Sequence, residues 1–237
     1  MDQNGAMTVT GTGARPDDFV PVADARPTDV VWPKMTWPPP LDTVLRGHVV
    51  EVSPAHLEED GKELFGALDD EAVWEHLPFR PPDPDALIDV LRGRLTSGMF
   101  PWVMRLRVPY AGLPARSVVG MSSYLDVSVH DARLEIGATA YHPSVWASAV
   151  NPDTKLLLLG YAFDDLHVGR VQLKTDVRNT RSQRAIARLG ARYEGTLGRF
   201  QRRADGTVRD AVLFSVLAED WPRVRDGLQS RLPGASG

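Results

Sequence analysis

The chain has 237 residues, 43% hydrophobic and 24% charged, with a net charge of −4, enough apolar material for one ordinary domain with tails. A negative balance gives no global field favouring nucleic acid or an anionic membrane. The absence of cysteine excludes disulfides, cysteine-ligated zinc and a cysteine nucleophile.

Residues 1–42 are rich in proline and glycine, including Pro38-Pro39-Pro40, and show little apolar periodicity. They read as a flexible or draped arm. Trp32 and Trp37 within it offer a contact to the domain body or to a second subunit of a homodimer. The arm's first residues lack the basic start and apolar stretch of a secretory signal. The domain is expected over 43–230, with 231–237 as a disordered tail.

Gly47–Val52 reads as the first strand. Ser53-Pro54 has the cap-then-proline pattern of a helix start, so a helix is expected over Ala55–Leu68, with Leu57, Leu64, Phe65 and Leu68 on one side. A short helical piece at Val73–His76 and a helix at Asp85–Thr96 come next. Strands follow at Trp102–Val108, Arg116–Leu125 and Arg133–His142, the last two joined by a turn at Val129-His130-Asp131. Asp153–Leu166 reads as a helix, Arg170–Asp176 as a β-branched strand, and Thr180–Leu189 as a helix stopped by Gly190. The longest apolar run, Leu156–Leu159 continuing to Phe163, is too short to cross a bilayer. A soluble, cytoplasmic protein is the expectation. Strands at Tyr193–Arg203 and Thr207–Val216 flank the turn Ala204-Asp205-Gly206, and a last helix runs from Asp220 to Leu228. The strand–helix–strand unit from Arg133 to Asp176 requires a right-handed crossover and parallel pairing; the other pairings are antiparallel. The fold class is thus α/β (α+β), a mixed and mostly antiparallel twisted sheet.

The stretch with most chemical content begins at the strand ending in Tyr141-His142-Pro143. Eight small and polar residues, 144–151, precede a helix opening at Pro152-Asp153. Unpaired amides and the helix dipole make such a place able to bind an anion, and Ala147, Ser148 and Ala149 are small enough to let a phosphate approach. Taken alone, the pattern is either an anion site or a plain strand–helix connection. Asn179 can cap the helix that follows it or bond a ligand amide. Glu135, opposite in phase to Leu134 and Ile136, is a candidate proton acceptor or a salt-bridged surface group. Arg178, Arg181, Arg184, Arg188 and Arg192 form a basic stripe that suits phosphates or simply solvent. The six histidines lack metal-ligand spacing, so no metal is expected.

From Leu45 to Val216 the chain resembles the GNAT superfamily of N-acetyltransferases, RimJ/RimL-like. Tyr141-His142-Pro143 resembles the family's step out of its fourth strand. The segment Trp146, Ala147, Ser148, Ala149, Val150, Asn151 stands where the family has a pyrophosphate loop, Gln/Arg-x-x-Gly-x-Gly/Ala, without its glycines and its Arg or Gln. An Ala held there with positive φ would be strained. Gly160-Tyr161-Ala162-Phe163, Arg170–Asp176, Asn179-x-x-Ser182 through Arg188-Leu189-Gly190, and the residues Glu194-Gly195, Arg199, Gly206 and Asp210 resemble the downstream pattern.

The resemblance implies the GNAT fold, with the sheet splayed between the fourth and fifth strands of this count and helices on both faces. It implies acetyl-CoA as cosubstrate, no metal, and direct transfer to a primary amine, of a protein N-terminus or a small molecule. Ala138, Thr139 and Tyr141 would lie against pantetheine, residues 146–151 against pyrophosphate, and Asn179, Ser182 and Arg188 against CoA. Ser182 would protonate the departing thiolate and Glu135 would take the amine's proton. The acceptor would lie between residues 55–100 and the last hairpin. The missing glycines leave open a second reading, a catalytically inactive GNAT-like CoA-binding or regulatory module.

Overall fold

The computed structural model describes residues 20–24, 31–77, 79–203 and 205–234. The chain divides into Met1–Val31 and Trp32–Gly237. Most of the expected arm and the last three residues of the expected tail lie outside the described residues. In the larger unit the segment from Trp32 is ordered by tertiary contacts. The Trp32 indole N–H donates to the His167 carbonyl at 2.9 Å, the Thr36 amide donates to the Leu166 carbonyl, and Trp37 packs edge-on against Phe100 with ring centroids 5.8 Å apart. These bonds offset the ordering entropy that the proline-rich composition alone cannot.

Among the described residues eight strands form one sheet: β1 Leu45–Arg46, β2 Val50–Pro54, β3 Phe100–Leu106, β4 Val118–Ser128, β5 Arg133–Tyr141, β6 Arg170–Asp176, β7 Arg192–Arg202 and β8 Val208–Leu217. Their order is β1-β2-β3-β4-β5-β6-β8-β7. Only β5 and β6 run parallel. The helices are α1 Leu57–Leu68, α2 Glu71–Trp74, α3 Pro84–Thr96, α4 Val150–Gly160, α5 Thr180–Leu189 and α6 Trp221–Gln229. Alternate residues of β3 feed two cores: Trp102 and Met104 join α4 and α6 on one face, while Val103 joins α1 and α3 on the other. Helices thus cover both faces of a mixed sheet.

Several expected boundaries move, those around β2 for tertiary reasons. Ser53-Pro54 ends β2 instead of opening a helix, because Pro54 continues the register opposite Trp102. Helix α1 begins at Leu57, and its Asp60 carboxylate accepts from the His56 amide at 2.8 Å, a back-bond the local sequence pattern did not advertise. The strand expected over Gly47–Val52 loses its first three residues to a turn at 47–49 and begins at Val50, with the short β1 before it. Asp153 holds that turn from a distance of over 100 residues: one oxygen accepts from the His48 amide at 3.1 Å, the other from Val49 at 2.7 Å and Val50 at 3.0 Å.

Candidate functional site

The site begins with a failure of pairing. Strands β5 and β6 are paired at Arg133–Arg170, Leu134–Val171 and Glu135–Gln172, and no further. Beyond Glu135, β5 stays with β4 as far as Tyr141, while β6 stays with β8 as far as Asp176. The two parallel strands therefore diverge into a V. A bulge accompanies the divergence: Met121 pairs with Ala140 and Ser123 with Gly137, so Ser122 faces both Ala138 and Thr139. Ala138 takes φ +47°, the left-handed conformation an extra residue demands. Backbone groups along the β6-facing edge of β5 are left without a ladder partner.

The V opens towards the turn that follows β5. A single 3-10 turn, Pro143–Val145, leads to residues 146–149, and α4 starts at Val150, before the expected Pro152-Asp153 opening. Ser148 holds the connection, its hydroxyl donating to the Val145 carbonyl at 2.6 Å and accepting from the Val150 amide at 3.2 Å. The Tyr141 hydroxyl donates to Asn151 at 3.0 Å, and the Trp146 indole N–H to the Tyr141 carbonyl at 3.0 Å. Ala147 has φ +55°, so the strain foreseen for an alanine in this turn is present. Among the described residues the amides of Ala147, Ser148 and Asn151 find no acceptor. Free N–H groups at the positive end of a helix dipole form an anion cradle.

Across the V stands α5. The Asn179 side chain caps it, accepting from the Ser182 amide at 2.9 Å. The Ser182 hydroxyl, half-buried in the first turn, has no partner among the described residues. The Arg181 guanidinium carbon sits 3.9 Å from the centre of the Trp146 ring, linking α5 to the turn by a cation–π contact. Arg188 is exposed on the same helix.

Glu135 marks the apex of the V. It is buried, with its carboxylate 2.8 Å from the Lys174 ammonium and accepting from Gln172 at 3.1 Å. Burial raises its pKa, and the Lys174 hydrogen bond and charge only partly offset that. Glu194, read from sequence as part of the hairpin pattern, forms a paired bridge to Arg170 at 2.6 and 2.5 Å and accepts from Ser215. Of the predicted residues, those of 138–151 and those of 179–182 thus flank the two arms of the V, while Glu135 closes it.

Sequence reasoning missed two groups here. Lys155, 6% exposed, runs from α4 to the bulge, where its ammonium lies 3.2 Å from the Thr139 hydroxyl, itself 2.8 Å from that of Ser122. No carboxylate faces it among the described residues, and burial lowers its pKa to about 7. The available signal was a lone cation directly before four leucines, Leu156 to Leu159. Asp153 was seen only as a helix opener; its role as acceptor for a remote turn has no local signature.

The acetyltransferase (GNAT) domain model matches residues 51–192. A structure from T. thermophilus, described as an acetyltransferase, is 36% identical, with a TM-score of 0.72, covering 83% of this chain and 100% of that one. A GNAT-family protein of Chromobacterium violaceum is 26% identical, with a TM-score of 0.76 and coverage of 86% and 100%. Mycobacterium smegmatis RimJ, solved with CoA-disulfide, shares the fold at 22% identity and a TM-score of 0.60, over 78% of this chain and 91% of that one. A search of curated proteins found no match.

Proposed function

Because the chain belongs to the GNAT acetyltransferase family, we propose that it transfers an acetyl group from acetyl-CoA directly to a primary amine, of a protein N-terminus or a small molecule. The observation that carries this reading is the parting of β5 from β6 beside a turn whose amides lack acceptors. The donor set suits a CoA ester: main-chain N–H groups for phosphate oxygens and an open strand edge for the amides of pantetheine, with Arg188, exposed in the last turn of α5, as the proposed further phosphate contact. Acetyl-CoA supplies a thioester carbonyl and a thiolate leaving group.

The chain's own residues then have distinct tasks. The N–H groups of Ala147, Ser148 and Asn151 hold pyrophosphate, with Trp146, Ala149 and Val150 shaping the turn around them. The β5 edge from Ala138 through Thr139 to Tyr141 binds pantetheine, and one of its N–H groups stabilises the oxyanion of the carbonyl under attack. Asn179 uses its oxygen as a helix cap, which leaves its amide N–H free for the ligand. Ser182, with an uncommitted hydroxyl, protonates the thiolate. Glu135 takes the ammonium proton, its raised pKa making it a better base than an exposed carboxylate. The Arg181–Trp146 stack favours a second reading, since it ties α5 to the turn and uses a cation that would otherwise face phosphate: a CoA-binding or regulatory module without turnover.

One experiment separates the two. Mass spectrometry of mixtures holding acetyl-CoA and a panel of peptides and small amines detects acetylated product, with calorimetry reporting acetyl-CoA binding. Product that falls at least about tenfold in rate in Ser182→Ala and Glu135→Gln supports the transferase. Binding without product supports the CoA-binding module, and neither binding nor product removes the transferase and leaves only a regulatory module that does not take CoA.

A further inference from the structure

The bulge of β5 has a second side. On the face that carries α1 to α3, Ala138 and Ala140 border a small open recess, lined also by Met121 of β4, Trp74 of α2, and Leu87 and Leu91 of α3. Its lining is apolar apart from one ionisable side chain, Arg94 in the last turn of α3. Arg94 is half-exposed and makes no ion pair among the described residues. No carboxylate lines the recess among the described residues.

This combination selects among amines. A polyamine or an aminoglycoside carries several positive charges, and those beyond the reacting amine would meet the Arg94 cation and no lining carboxylate among the described residues. An apolar group is instead desolvated against the aromatic and aliphatic walls, and a carboxylate finds in Arg94 a planar, two-pronged partner. We propose that the acceptor is a small α-amino acid with an apolar side chain: the side chain enters the recess, the α-carboxylate pairs with Arg94, and the α-amine lies at Ala138. This rests on the transferase reading. The ammonium first gives up one proton to a base; the neutral amine then forms the N–C bond as the thioester C–S bond breaks, and the amine's second proton ends on the thiolate. The products are an N-acetyl amino acid and CoA thiol.

The test measures thiol release by the full-length chain with leucine, methionine and phenylalanine, their amides, a peptide with N-terminal leucine, spermidine and kanamycin. Each apolar amino acid should exceed its amide by about tenfold in kcat/KM, the value of one charge-assisted hydrogen-bonded pair. Arg94→Gln should lower the rate with the amino acids more than the rate with their amides, bringing that ratio close to one, and Arg94→Lys should restore part of it. Calorimetry with N-acetyl-leucine in the absence of CoA should show binding that Arg94→Gln weakens to the same degree. Equal rates for acid and amide, a preference for the peptide or a polycation, or an undiminished ratio in Arg94→Gln would each overturn the inference. Acetyl-CoA binding with transfer only to those other amines would leave the transferase reading standing. No acetyl-CoA binding at all would remove both.

Discussion

Two groups of main-chain amides lie near the start of α4, and they have opposite fates. Those of His48, Val49 and Val50 converge on the fully buried Asp153 carboxylate from a turn in the β1–β2 hairpin. Those of Ala147, Ser148 and Asn151, a few residues before Asp153 in sequence, have no acceptor among the described residues. The chemistry is the same, an N–H that water or an anion must satisfy. The protein supplies its own anion to the first group and leaves the second open to water or, in the proposed function, to the diphosphate of CoA. A built-in carboxylate makes a structural joint; its absence is what the proposed ligand site rests on.

Breaking the joint should have the largest effect. Asp153→Ala strands three amides, two of them buried, and is expected to lower unfolding free energy by roughly 3–5 kcal/mol, measured by urea denaturation. A loss below about 1 kcal/mol would mean that solvent reaches those amides. Gly47 belongs to the same joint, since a Cβ there would fall 2.5 Å from both carboxylate oxygens.

Filling the other group comes next. Acetyl-CoA at about 100 times its dissociation constant should stabilise the protein by about 2.7 kcal/mol, seen as a rise in Tm. Absence of any shift would show that the free amides do not make a binding site.

A third effect is a slope. Lys155 has a folded pKa of about 7 against an ordinary value of 10.5, so between these values the unfolded chain binds the extra proton. Stability should therefore rise with pH across that window, by at most about 1.4 kcal/mol per pH unit. Below about pH 7 both states are protonated and the burial cost is constant. In Lys155→Met this part of the slope should vanish, and urea midpoints at about pH 7, 8 and 9 would show it. An unchanged slope would place an unseen anion or water beside the ammonium.

The smallest effect sharpens the account of the turn. Ala147→Gly removes the steric cost of φ +55° but adds freedom to the unfolded chain, for a net gain of about 0.5–1 kcal/mol. A loss of stability would mean that the Ala147 methyl group packs usefully.

Much of the architecture was legible because it rests on local rules. Gly190 stops α5 in the left-handed conformation, as a glycine after a helix does. The hairpin turn at Asp205-Gly206 and the parallel pair β5–β6 also followed, from turn chemistry and from the handedness of crossovers. The segment 146–151 was singled out by the resemblance, as the place of a pyrophosphate loop, even though its glycines are absent. Ser53-Pro54 misled, because a cap-like pair can equally finish an edge-side strand when a neighbour such as Trp102 offers a register. Lys155 went unread because period and polarity describe one helix face at a time. They do not say which residue of another element lies opposite.

The sequence by itself determined the elements, their order, and through crossover handedness the one parallel pairing; these follow from periodicity, turn residues and chain connectivity, which act over a few residues. Only the tertiary structure decided where β5 leaves β6, which amides Asp153 consumes, and that Ala138 faces an apolar recess on one side while its neighbour Thr139 meets a buried amine. Those facts depend on distances between residues far apart along the chain, and such distances are set by how the two cores pack against the sheet.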